Sequence, residues 1–320
     1  MVDDKIKKVL ARYDEIIKLI LEQKVDEYSD KLDEIPPDED EITYETYIQK
    51  VAMAEAEEQT RNMENEPDEL LGGESMNEFF SYMSVDELTE VLEYAAVNLD
   101  RGVPSSVVTA LAGKRDEDLE RVAEYCATTI KESAWTQDEL SDENTLFEME
   151  FQKVRACFEV LAQMGDGSSV PYVIERFMSY DQTQEFVADS IATYLERFPG
   201  ITVPLIIDTL KEHEEDGLTG PCEDLVIILT AIGKDNASEE IYSALRTAFR
   251  WMKNKIYAVI CLADYGDARA VPMLKSYINR HQDTIERDLF YEMMSAIQNL
   301  GGDIEDISDP FGDFQKKKKD

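Results

Sequence analysis

Leu161-Ala162-Gln163-Met164-Gly165-Asp166, followed by Val170-Pro171, returns at the same internal spacing as Leu262-Ala263-Asp264-Tyr265-Gly266-Asp267, followed by Val271-Pro272. Each part has a local use. The apolar residues hold a first helix on its neighbours, glycine supplies the positive φ of a helix C-cap, and aspartate serves the start of the next helix. Proline in a first turn gives up no hydrogen bond it would otherwise make. Two more copies lie between: Leu195 with Pro199-Gly200 and Val203-Pro204, then Leu229-Thr230-Ala231-Ile232-Gly233 with Ile241. Ile297-Gln298-Asn299-Leu300-Gly301 begins a last one. With Gly165, Pro199, Gly233, Gly266 and Gly301 as equivalents, the steps are 34, 34, 33 and 35 residues, the length of one helical hairpin per repeat.

The pattern apolar-Ala-x-x-Gly-Asp followed by Val-Pro, clearest from Tyr257 to Ile278, resembles the short HEAT-like repeats also found in phycobilisome lyases. The resemblance spans residues 151–301 and implies an all-α fold, a right-handed α-solenoid of helical hairpins with an N-terminal helical region. A binding scaffold is the commonest function such a resemblance implies. The Leu229 copy lacks the proline and the Leu195 copy is shortened at its turn.

Outward from the repeats, apolar periodicity predicts helices over residues 3–32, 44–63 and 116–131. Pro36-Pro37 with Asp38 to Glu41 predicts a break after the first, and 64–75 reads as a linker. Ser84-Val85-Asp86-Glu87 has capping-box spacing ahead of Leu88, Val91, Leu92, Ala95 and Leu99. Gly102 stops that helix and Pro104 opens the next, nearly two periods before Val170-Pro171, which extends the array towards Ser84 in degenerate form. The expected divisions are 1–75, acidic helices and linker; 76–150, a helical region; 151–302, the repeats; and 303–320, an unstructured tail.

The chain has 320 residues and a formal charge of −38, concentrated before residue 150. Such a field disfavours phosphate backbones, so nucleic acid is not the expected ligand. Cys126, Cys157, Cys222 and Cys261 are far apart and without CxxC spacing, so reduced core thiols are expected. The N-terminus carries no signal-peptide pattern, and the longest strongly apolar run, 225–232, is too short to cross a bilayer. A cytoplasmic protein without membrane association is the resulting expectation.

No Gly-x-Ser-x-Gly elbow, paired Cys and His or phosphate loop is present. Helical-repeat di-iron hydroxylases hold metal through several His-Glu pairs, whereas this chain has only His213-Glu214. No catalytic residue, cofactor or metal is therefore assigned. Arg246, Arg250, Trp251, Lys253 and Lys255 form a basic and aromatic island in an acidic chain, with Arg246, Arg250 and Lys253 on one helical face. They are the candidate partner-binding residues, suited to an acidic segment or anionic ligand. Against this stands a structural reading, with the cations paired to neighbouring repeats and Trp251 in the core. The expected function is a noncatalytic protein-protein interaction scaffold whose partner is another protein or peptide; the repeat pattern specifies no oligomeric state. The alternatives are an enzyme or lyase-like accessory protein with a ligand site in a concave groove, and a nucleic-acid mimic.

Overall fold

The computed structural model describes residues 2–32, 41–141, 146–180 and 183–312. The expected break at Pro36-Pro37 and the last eight residues of the expected tail lie outside them. Among the described residues the protein is all-α, with no strand. It divides into two compact units, Met1–Asp166 and Gly167–Asp320.

The first unit contains α1 (Asp4–Leu32), α2 (Glu41–Glu64), α3 (Met76–Ser81), α4 (Val85–Asn98), α5 (Ser105–Ala112), α6 (Glu117–Glu132) and α7 (Phe147–Met164). The Ser84 capping box forms as its spacing demands: Glu87 N donates to Ser84 Oγ at 3.3 Å, and Ser84 N to Glu87 Oε2 at 2.8 Å. Ser84 N and the Ser84 hydroxyl, both donating to Glu87 Oε2, hold the Glu87 carboxyl below its usual range. α1 packs on α2, and α7 packs on α4, α5 and α6. The polar stretch after α6 hides an anchor. Trp135 is fully buried, donates its indole N–H to the Ile130 carbonyl at 3.2 Å, and meets Phe151 and Phe158 edge to face.

The second unit contains α8 (Val170–Phe177), α9 (Glu185–Glu196), α10 (Pro199–His213), α11 (Pro221–Asp235), α12 (Glu239–Trp251), α13 (Lys255–Tyr265), α14 (Val271–Arg280) and α15 (Arg287–Asn299). Helices α9, α11, α13 and α15 pack each on the next; α8 packs on α10 and α10 on α12. Helices adjacent in sequence also pack together: α9 with α10, α11 with α12, α14 with α15. All these packings join helices no more than two places apart.

The repeat signature divides into different local roles. Gly165, at the end of α7, and Gly266 and Gly301, following α13 and α15, are left-handed, with φ of 72°, 80° and 76°. Around Gly165 and Gly301 paired backbone bonds close the helix end, from Asp166 N to Leu161 O and from Gly302 N to Ile297 O. Gly233 lies inside α11, where a side chain would collide with the Tyr265 ring. Pro171 and Pro272 fall in the first turns of α8 and α14, as the spacing predicts. Pro204, by contrast, is interior to α10, because the shortened turn starts that helix at Pro199. Residues 303–312, read from sequence as the start of an unstructured tail, carry turns, and Phe311 packs on the Phe290 ring at 5.6 Å.

Candidate functional site

The basic island sits where α12 ends and α13 begins. Ser238 caps α12, accepting from Ile241 N at 3.2 Å, and Ile241, Tyr242, Leu245, Ala248 and Phe249 form the buried stripe. Arg246 and Arg250, four residues apart, fall on the exposed side. Neither makes an ion pair with a described residue. On the edge of α12 beside them, Phe249 meets Tyr277 of α14 at 5.4 Å and Tyr242 lies under the Arg269 guanidinium at 4.1 Å.

Trp251 is 37% exposed, so the structural reading that put it in the core does not hold. Its neighbour Met252 is the buried residue instead. The Trp251 carbonyl accepts from Leu218 N at 3.2 Å and Lys253 N donates to Leu218 O at 3.3 Å, so the α10–α11 loop fixes this corner. Lys253 is exposed, and its stem lies over Gly217, where a Cβ would stand 3.3 Å from its Cε. Gly217 follows Glu214, Glu215 and Asp216 in the chain, so Lys253 projects beside an acidic turn.

Lys255 separates from the other four residues. Its ammonium donates to the carbonyls of Phe249 at 2.9 Å, Arg250 at 2.9 Å and Met252 at 2.6 Å. It closes the C-terminal end of α12, where the last carbonyls have no helical partner. Burial there pulls the Lys255 pKa down. The part of the island on offer to a partner is thus Arg246, Arg250 and Trp251, with Lys253 at its edge.

A cleft of about 320 Å³ opens on the other side of α12, against α10. Its lining supplies Lys211, Glu214, Glu239, Glu240, Ser243 and Thr247 among apolar residues, with no thiol or imidazole. Burial raises the pKa of Asp224, which does not line the cleft. His213 and His281 each place Nδ1 on the carbonyl four residues back, at 2.9 Å from Thr209 O and 2.8 Å from Tyr277 O. Among the described residues no three His, Cys, Asp or Glu side chains converge as a metal site. No helix among them is long and apolar enough to cross a membrane.

Two features of this corner lie outside what the repeat pattern indicated. Arg269 pairs with Glu239 at 2.6 Å and Asp267 at 2.6 Å, and this clamp, not the basic island, joins α12 to the turn before α14. Leu218 is the backbone partner of Trp251 and Lys253. No known protein family, curated protein or solved structure matches the chain.

Proposed function

We propose that this protein is a noncatalytic interaction scaffold: the hairpins of the second unit stack as a HEAT-like α-solenoid, and the end of α12 receives an acidic segment of a partner protein. The carrying observation is the pair Arg246 and Arg250, exposed and without an ion pair to a described residue in a chain of net charge −38. Lys234, Arg269 and Lys275 of the same unit are each matched to an acid. Two guanidiniums one turn apart offer bidentate donors to carboxylates, and the adjoining half-exposed indole supplies the apolar contact typical of an interface anchor. Nearest-neighbour packing of α9, α11, α13 and α15 supports the stacked-hairpin reading. The α10–α12 cleft offers hydroxyls and carboxylates without a nucleophile and base pair, which ranks an enzymatic role lower.

The test is fluorescence anisotropy of a labelled peptide rich in Asp and Glu, titrated with the full chain at about 0.15 M salt, where the Debye length is about 8 Å and the protein's distant charge is screened. Saturable binding that is lost in the Arg246→Glu, Arg250→Glu double variant is expected. Equal binding by that variant would remove α12 as the docking surface.

A further inference from the structure

A second polar site lies in the first unit, where α2, α3 and α5 enclose a surface pocket of about 450 Å³. Its polar lining comes chiefly from Arg61, Asn77, Ser105, Ser106, Thr109 and Lys114, and includes no carboxylate. That is unusual in a chain with 70 acidic residues against 32 basic ones.

The amino end of α5 forms one wall, and it is already met by one acid. Glu64, fully buried, accepts from Ser105 N at 3.1 Å and from Ser105 Oγ at 2.5 Å. Tyr13 hydrogen-bonds the same carboxylate, and proximity to that charge joins burial in pushing the phenol pKa up. Glu64 therefore uses the donors of Ser105 and does not line the pocket. Ser106 is different. It is 1% exposed, it lines the pocket, and its hydroxyl has no hydrogen-bond partner among the described residues. A buried hydroxyl left unmatched is costly, and native proteins keep few of them.

The cations around this hydroxyl are arranged differently from each other. Lys114 Nζ donates to the carbonyls of Ser81, at 3.3 Å, and Met83, which fixes its charge at the rim. Arg61 is exposed and makes no ion pair with a described residue. Asn77 is held by bonds to Glu64 O at 3.3 Å and Asn65 Oδ1 at 3.0 Å. A helix start, a buried hydroxyl without a partner among the described residues and an exposed guanidinium are complementary to an oxyanion, which accepts hydrogen bonds on every oxygen.

We propose that this pocket binds a phosphate-class oxyanion, with the Ser106 hydroxyl as its buried donor and Arg61 as its counter-charge. The nearby Glu64 carboxylate opposes any second anion, so Arg61 is indispensable to the site. The test is amide NMR of the isotopically labelled full chain, titrated with inorganic phosphate at constant ionic strength. Sodium chloride is the reference, sodium acetate a second arm and free phosphoserine a third. Saturable shifts confined to Ser105, Ser106 and Gly113 with their neighbours are expected, stronger with phosphate than with acetate. Tighter binding of phosphoserine would assign the group to a phosphorylated side chain, and tighter binding of phosphate to the free ion. Ser106→Ala and Arg61→Gln should each weaken phosphate binding by about tenfold or more, since each removes a hydrogen bond to a charged group. The thermal midpoint of Ser106→Ala in phosphate-free buffer should not fall, because that hydroxyl holds nothing in the protein. A wild-type response no different from chloride, acetate binding as tight as phosphate, or undiminished binding in Ser106→Ala would each overturn the proposal.

Discussion

Gly233→Ala tests the packing of α11 on α13 at a point where an added Cβ has no room. Gly233 is in the interior of α11, so helix propensity alone would favour alanine by about 1 kcal/mol. The new Cβ would stand 2.7 Å from Tyr265 Cε2, 2.8 Å from Cδ2 and 3.1 Å from Ile241 Cγ2. Carbon atoms rest at about 3.5 Å or more, so the ring must recede by roughly 0.8 Å. Tyr265 is poorly placed to move: its hydroxyl accepts from Ser238 N at 3.0 Å and donates to Ser238 O at 2.9 Å, and its ring stacks on Tyr242. Overpacking of this kind costs about 1–3 kcal/mol, and loosening the two hydrogen bonds adds about 0.5–1.5 kcal/mol each. Set against the propensity gain of about 1 kcal/mol, the net is a loss of about 1–5 kcal/mol. In hydrogen exchange under native conditions this corresponds to amides of α11 and α12 exchanging roughly 5- to 5,000-fold faster. A Tyr265→Leu background should remove most of the penalty, because the colliding ring is gone. Unchanged exchange in Gly233→Ala, or an equal penalty in both backgrounds, would refute the reasoning.

Lys255→Met keeps the apolar stem and removes the donor to three carbonyls, so protection at the C-terminal end of α12 should fall by about 1–3 kcal/mol in hydrogen exchange while acidic-peptide binding persists. Loss of binding with intact protection would return Lys255 to the docking surface. Burial raises Asp224, so the folded state binds a proton there more readily than the unfolded one, and the stability attributable to this group falls as pH rises through the ordinary carboxylate range to its raised value. Asp224→Asn should therefore raise the melting temperature at neutral pH, with the gain vanishing below the ordinary carboxylate pKa; a gain that does not change with pH would contradict the cause. Phe311→Ala should free residues 303–312 from Phe290 and Tyr291 and speed limited proteolysis there, and an unchanged cleavage rate would show that the rings hold nothing.

Features that depend on a few neighbouring residues were legible in the sequence. The Ser84 capping box, the left-handed caps at Gly165, Gly266 and Gly301, and the first-turn prolines of α8 and α14 all lie within one helix end. Gly233 obeys the same period for another reason: Tyr265, 32 residues away, fills the space where its side chain would be. The shortened turn before α10 moved its start to Pro199, and only the packing of neighbouring helices distinguishes that from a start at Val203. Trp135 was masked because the residues around it are polar, while its partners Phe151 and Phe158 belong to the next helix. In the island, helical period was enough to bring Arg246 and Arg250 to one exposed side. It could not separate Lys255, which lies past a chain reversal and turns back on α12.

Three ion pairs of the second unit bear on the setting of the two arginines. Lys234–Asp264, Arg269–Glu239 and Lys275–Asp306 join residues separated by 30, 30 and 31 positions, close to one repeat. Lys234 and Arg269 thus each meet an acid from a neighbouring helix pair, and Lys275 meets one from the turns after α15. Thirty positions after Arg246 and Arg250 the chain carries Ser276 and Arg280, neither of them an acid; thirty positions before them stand Asp216 and Gly220, and Asp216 makes no ion pair with Arg246. The contact of Phe249 with Tyr277 brings that part of α14 against α12, so the positions are spatially adjacent as well as periodic. Arg280→Glu would place an acid where the neighbouring repeats place theirs. It should compete with the acidic peptide for Arg250 and weaken peptide binding several-fold, on the order of the 0.2–1 kcal/mol of an exposed pair plus the added like charge facing the ligand. High salt should erase much of that difference, because both contributions are screened. If Arg280→Glu bound the peptide as tightly as the native chain at low salt, the unmatched arginines would not be the attraction, and the scaffold reading would lose its charge-based docking site.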